Sequence, residues 1–66
     1  MIYRIRVKGH LGSHWSDWFD GLTIRNEPTG EAVLLGPIPD QATLHAILTR
    51  VRDLGLTLIS VTSAGE

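Results

Sequence analysis

The stretch DQATLHAILTRVRDLGLTLISVT, residues 40–62, decides how the rest of the chain must be arranged. Leu44, Ile47, Leu48, Val51 and Leu54 recur at helical spacing, while Thr49, Arg50 and Asp53 fall away from that stripe. Asp40 precedes the stripe and is of the type that caps a helix start. Gly55 follows it and suits the left-handed position that ends a helix, with Arg50 and Arg52 favourable in the last turns. After the glycine, Leu56 to Thr62 reads as a strand whose apolar residues do not keep one phase. Leu56 and Leu58 fall on one face, Ile59 and Val61 on the other. A strand with water on one side alternates apolar and polar, so this pattern predicts a strand covered on both sides.

Working outward, Leu22–Asn26 and Glu31–Gly36 read as a hairpin. Pro28 presets the turn between them and Gly30 tolerates a positive φ. Pro37-Ile38-Pro39 cannot continue the ladder freely, because each proline lacks its donor. Further upstream, Trp15, Trp18 and Phe19 sit at i, i+3 and i+4, which predicts a short helix of about two turns over residues 13–20. Ser13 is its expected N-cap and Gly21 its expected left-handed stop. At the start of the chain, Tyr3, Ile5 and Val7 alternate with Ile2, Arg4, Arg6 and Lys8. That alternation marks a strand with one face on the core. The residues after Thr62 are expected to fray.

The order is strand, short helix, strand, strand, long helix, strand. This is an α+β class with the β-α-β-β-α-β arrangement of the ferredoxin-like fold, a shortened first helix and a four-stranded sheet. The alternative is β-β-β-α-β, with residues 13–20 as a loop. Right-handed crossovers put both helices on one face, and the first and last strands are expected at the centre. The opposite face then carries Arg4, Arg6 and Lys8 beside apolar groups drawn from Val33, Leu35, Ile59 and Val61.

Length sharpens the consequence. The 66 residues make a single small domain, 1–66, of a size whose core alone rarely supplies more than roughly 3–5 kcal/mol. There is no cysteine, which excludes disulfides and a thiolate zinc site. The remaining staple is association, so a homodimer is expected through the open sheet face or a sheet edge. The cations must then reach the rim, pair with Glu27, Glu31 or Asp20 of a neighbour, or hold an anion. A formal charge of −1 argues against a nucleic-acid binder. No apolar run approaches a membrane span, and the alternating start is unlike a secretion signal. A cytoplasmic protein is the expectation.

The segments WSDWFDGLT and VLLGPIPDQATLHAILTRVRDLGLTLISV resemble a group of small uncharacterised bacterial proteins of about this length. They share a D-Q-A-x-L-H-x-x-L-x-x-x-R-D-L-G-like helix. The resemblance covers most of the chain and implies a bacterial, cytoplasmic protein, with no activity to carry over.

Candidate chemistry is sparse. His10 and His14 are four apart with Asp17 beyond, but Gly12 interrupts any shared helix, so a metal site is not expected. His14, Asp17 and His45 are the candidates for proton transfer, although spacing supplies none of them with a partner. Trp15 and Trp18 are expected in the core, at an interface or against a ligand. Phosphate-cradling and nucleophile-elbow motifs are missing from the sequence. The expected function is a noncatalytic homodimeric module with Arg4, Arg6, Lys8, Trp15, Trp18, Ile59 and Val61 as its interface or ligand residues, and without a cofactor. Its partner is a protein or a small anionic ligand. The alternative is a small dimeric enzyme or sensor that binds an anionic carboxylate.

Overall fold

The structure, a computed structural model, describes residues 1–63; Ser63, expected to fray, instead pairs with Tyr3 at the end of the last strand, and the rest of that expectation lies outside the described residues. Strand β1 (Ile2–Lys8) leads through a 3-10 helix (Ser13–Phe19) into strands β2 (Thr23–Asn26) and β3 (Glu31–Pro37). Helix α1 (Gln41–Asp53) and strand β4 (Thr57–Ser63) complete the chain. The class is α+β: one four-stranded antiparallel sheet in the order β2-β3-β1-β4, with one α-helix.

Helix α1 forms as its sequence dictates. The Asp40 carboxylate accepts a 2.8 Å hydrogen bond from the Thr43 amide. Leu44, Ile47 and Val51 are buried along one stripe. At the other end Gly55 sits at φ 75°, the Gly55 amide donates to Arg52 O and the Leu56 amide to Val51 O. This pattern returns the chain toward the sheet. The hairpin turn is closed by Gly30, at φ 92°, whose amide donates to Glu27 O.

The core lies between the sheet and the helices. Ile5, Val7, Ala32 and Leu34 enter it from the strands, Ile47 and Val51 from α1, and Phe19 from the 3-10 helix. Two reciprocal 2.8 Å hydrogen bonds join the Asn26 side chain to the Leu11 amide and carbonyl, which hold buried Leu11 in place.

Three expectations need correction. First, β1 and β3 are central and β4 is an edge strand, not a partner of β1 at the centre with neighbours on both sides. Second, the aromatic segment is a 3-10 helix preceded by Gly12. At three residues per turn, Trp15 and Trp18 eclipse each other and Phe19 turns away from them. Phe19 is accordingly buried, Trp15 is half-buried, and Trp18 is 42% exposed. The two indoles meet edge to face with centroids 6.3 Å apart.

Third, the broken phase of β4 does not mean coverage on both sides. Ser60 pairs with Arg6 but Leu58 pairs with Val7, so Ile59 is an extra residue in a β-bulge. One inserted residue shifts the side-chain period by one. Val61 pairs with buried Ile5 and packs against the core, so it lies on the helix-covered face and not on the open one. Leu58, opposite Val7, shares that face, yet it remains 44% exposed, as does Ile59.

Candidate functional site

The face of the sheet turned away from α1 carries two cross-strand rows. One runs Thr23, Leu35, Arg4, Thr62; the next runs Arg25, Val33, Arg6, Ser60. Residues directly opposite in adjacent strands project to the same side. The short aliphatic side chains of β3 therefore form a floor between the arginines of β1 and the Thr23–Arg25 segment of β2. Arg4, Arg6, Thr23, Arg25, Glu27, Val33 and Leu35 line a concavity of about 340 Å³ there. Val33 is only 6% exposed on this uncovered face, because the long side chains that flank it in register lie over it.

Two of the guanidiniums are already paired. Arg6 Nη1 donates to Glu31 Oε1 at 2.8 Å, and Arg25 Nε donates to Glu27 Oε2 at 3.0 Å. Arg4 is exposed and has no ion pair among the described residues. Lys8 follows on the same face, opposite Glu31. The acids expected to meet cations of a neighbour are thus engaged within the chain. Asp20 is too: it accepts from Arg50 Nη1 at 3.0 Å. Such partly exposed pairs contribute roughly 0–1 kcal/mol to stability, but they fix where the guanidiniums sit.

The other candidates lie apart from this face. His14 and Asp17 are on the 3-10 helix and His45 is exposed on α1, all in the helical layer. The structure does not bring them together with Arg4 or Arg6. His14 instead rests near Trp15, centroids 5.3 Å apart. His10 Nε2 donates to Glu27 O at 2.7 Å, which places the proton on that nitrogen. Among the described residues, no group of three or more His, Asp or Glu is placed to hold a metal. Trp18 is held by Arg50, whose Nη1 donates to Trp18 O at 2.9 Å while its guanidinium lies 5.8 Å from the ring centroid. That bracket fastens the 3-10 helix to α1.

Arg25 is the site residue that sequence reasoning missed. Its signal was present: Thr23 and Arg25 alternate with half-buried Ile24, which assigns both to the open face. What the sequence could not supply is that β2 lies two strands from β1, across β3.

The architecture defines a small α+β domain with one helix-covered and one open sheet face. The chain belongs to the family described as a domain of unknown function (DUF8691), which matches residues 2–62, from the first residue of β1 almost to the end of β4. Comparison with curated proteins and with solved structures gives no match. Among the described residues no helix is long and apolar enough to cross a membrane.

Proposed function

We propose that the protein is a noncatalytic binding module that works as a homodimer, joined along the β4 edge and offering its open sheet face to an anionic partner. The observation that carries the dimer is β4 itself. Its seven residues include no charge and no proline, and it exposes Leu58 and Ile59 on an unpaired edge. Proteins ordinarily guard such an edge with a charge, a proline or a bulge, and of these β4 has only the bulge at Ile59. Antiparallel pairing of two β4 strands about a twofold axis satisfies that edge with the same surface on both copies.

Stacking the open faces is the weaker way to pair. That face holds Arg4, Arg6, Lys8 and Arg25 against Glu27 and Glu31, four positive charges less two negative. Two copies face to face would set +2 against +2. The open face is better matched to a partner of opposite sign, and its concavity makes it the binding surface.

We also read the architecture as ferredoxin-like. The order β4-β1-β3-β2 supports this, with the 3-10 helix and α1 in the two crossovers. The resemblance to small bacterial proteins supports a bacterial, cytoplasmic origin. A second reading, an anion-binding sensor or small enzyme, is favoured by the arginine-lined concavity.

Sedimentation across a concentration series tests the dimer. The expected result is a monomer–dimer equilibrium that Ile59→Lys shifts to monomer. A wild-type chain that stays monomeric at high micromolar concentration overturns it.

A further inference from the structure

We propose that the trough over β3 is a binding site for a small amphipathic monocarboxylate, with Arg4 holding the carboxylate and Val33 and Leu35 receiving the apolar body. This rests on the reading of the open face as a binding surface, but not on the dimer.

Charge comes first. The trough and its immediate partners contain Arg4, Arg6 and Arg25, and two carboxylates, Glu27 and Glu31. Three positive charges less two negative leave one, and among the described residues Arg4 is the guanidinium of the trough without a carboxylate. One uncompensated positive charge suits one negative charge on the ligand. A phosphate dianion would bring a second negative charge toward Glu27 and Glu31, and Lys8, the further cation of this face, does not line the trough. A nucleic-acid backbone would place a row of phosphates over the same acids.

Shape comes next. Adjacent strands lie roughly 4.8 Å apart, so β1 and β2, with β3 between them, stand about 10 Å apart. The walls are therefore long side chains and the floor is Val33 and Leu35. The resulting space, about 340 Å³, is at the lower end of the range for small-molecule sites. A guanidinium presents a planar fork that matches a carboxylate with two parallel hydrogen bonds. Thr23 and Thr62 stand in the same cross-strand row as Arg4, and Thr23 also lines the trough. Its hydroxyl is a further donor on the β2 side.

The two ion pairs have a distinct part in this arrangement. Glu31 holds Arg6 and Glu27 holds Arg25, so both guanidiniums are already engaged and do not compete with Arg4 for the ligand. Glu27 and Glu31 are positioning residues. Removing either one frees a second cation and should change the ligand preference, not merely the affinity.

The test uses the full chain, titrated by calorimetry at constant ionic strength with acetate, butyrate, hexanoate, octanoate and inorganic phosphate. Affinity is expected to rise roughly three- to fourfold per added methylene while the floor can still receive it, with phosphate the weaker ligand. Arg4→Gln is expected to weaken hexanoate at least tenfold, whereas Arg52→Gln, on the exposed side of α1, leaves it unchanged. Leu35→Thr is the second variant, and it should flatten the chain-length dependence while acetate binding persists. Glu31→Gln should raise phosphate relative to hexanoate. The proposal is overturned by equal binding in Arg4→Gln, by affinity independent of chain length, or by phosphate binding as tightly as hexanoate. Sedimentation of the same samples separates the two readings: a monomer that binds hexanoate through Arg4 removes the dimer and keeps the site, and a dimer that ignores every carboxylate removes the site.

Discussion

On the face covered by α1, β1 contributes Ile5 and Val7, both fully buried; on the other face the same strand contributes Arg4, Arg6 and Lys8. Strand β3 shows the contrast in three consecutive residues. Leu34 enters the core, while Val33 and Leu35 form the floor of the arginine-walled trough. The covered face has one purpose, to remove apolar surface from water, and its side chains differ only in shape. The open face mixes charge with apolar surface and, among the described residues, leaves Arg4 without an ion pair; exposed charges of this kind add little to stability. The two faces can therefore be perturbed separately.

The largest expected effect is on the covered face. Ile47→Ala opens a cavity beneath the sheet and should cost about 2–5 kcal/mol, a large share of the stability of a chain this short. Urea denaturation measures it, and a loss below about 1 kcal/mol would mean that α1 is not the cover described. The corresponding open-face change, Arg4→Gln, should leave the urea midpoint nearly unmoved while it abolishes tight carboxylate binding. If both variants destabilise equally, the division of labour between the faces fails.

Next in size is assembly. Ile59→Lys places a charge on the β4 edge and should remove the dimer at concentrations where the wild type associates, with little change in far-ultraviolet circular dichroism. An unchanged sedimentation profile would exclude that edge as the contact.

Smaller again is the helix cap. The hydrogen bond from the Thr43 amide holds the Asp40 carboxyl below the usual aspartate range. A lowered folded-state value stabilises the protein above the unfolded-state value and loses that contribution as pH falls through the folded one. The Asp40 contribution is therefore complete near neutrality and lost below about pH 4. Asp40→Ala should lower the melting temperature by a few degrees at pH 7, and the difference from wild type should shrink toward pH 2. Asp40→Asn keeps an acceptor for the Thr43 amide and should show a smaller loss with weaker acid dependence. A deficit of Asp40→Ala that stays constant from pH 7 to pH 2 would contradict this account.

Much of the fold was legible because its signals are local. The cap at Asp40, the stripe through Ile47 and Val51, the stop at Gly55 and the alternation of β1 all depend on residues within a few positions of one another. The turn at Pro28–Gly30 was legible for the same reason. What failed is non-local. The bulge at Ile59 exists only relative to β1, so the two apolar phases of β4 looked like two covered faces. In fact they are one face interrupted by an inserted residue. The position of β4 on an edge, and of β2 across β3 from β1, depends on the order of the sheet and not on spacing along the chain. That is why Arg4 and Arg6 could be named as candidates while Arg25 could not be joined to them. It is also why spacing alone left the cations three outlets, the rim, a neighbour's acids or an anion, when Glu27 and Glu31 in fact pair with them within the chain. The 3-10 segment failed on a finer point, since i, i+3 and i+4 share a face at 3.6 residues per turn but not at three.

The separation of the two faces is tested most directly with methyl-labelled protein titrated with hexanoate and followed by carbon–proton correlation spectra. Val33, Leu34 and Leu35 are consecutive and differ in the face they enter. The methyl signals of Val33 and Leu35 should move in proportion to occupancy while those of Leu34 and Ile5 stay in place, and Arg4→Gln should abolish the movement. Shifts of Leu34 as large as those of its neighbours, or movement that persists in Arg4→Gln, would contradict the account.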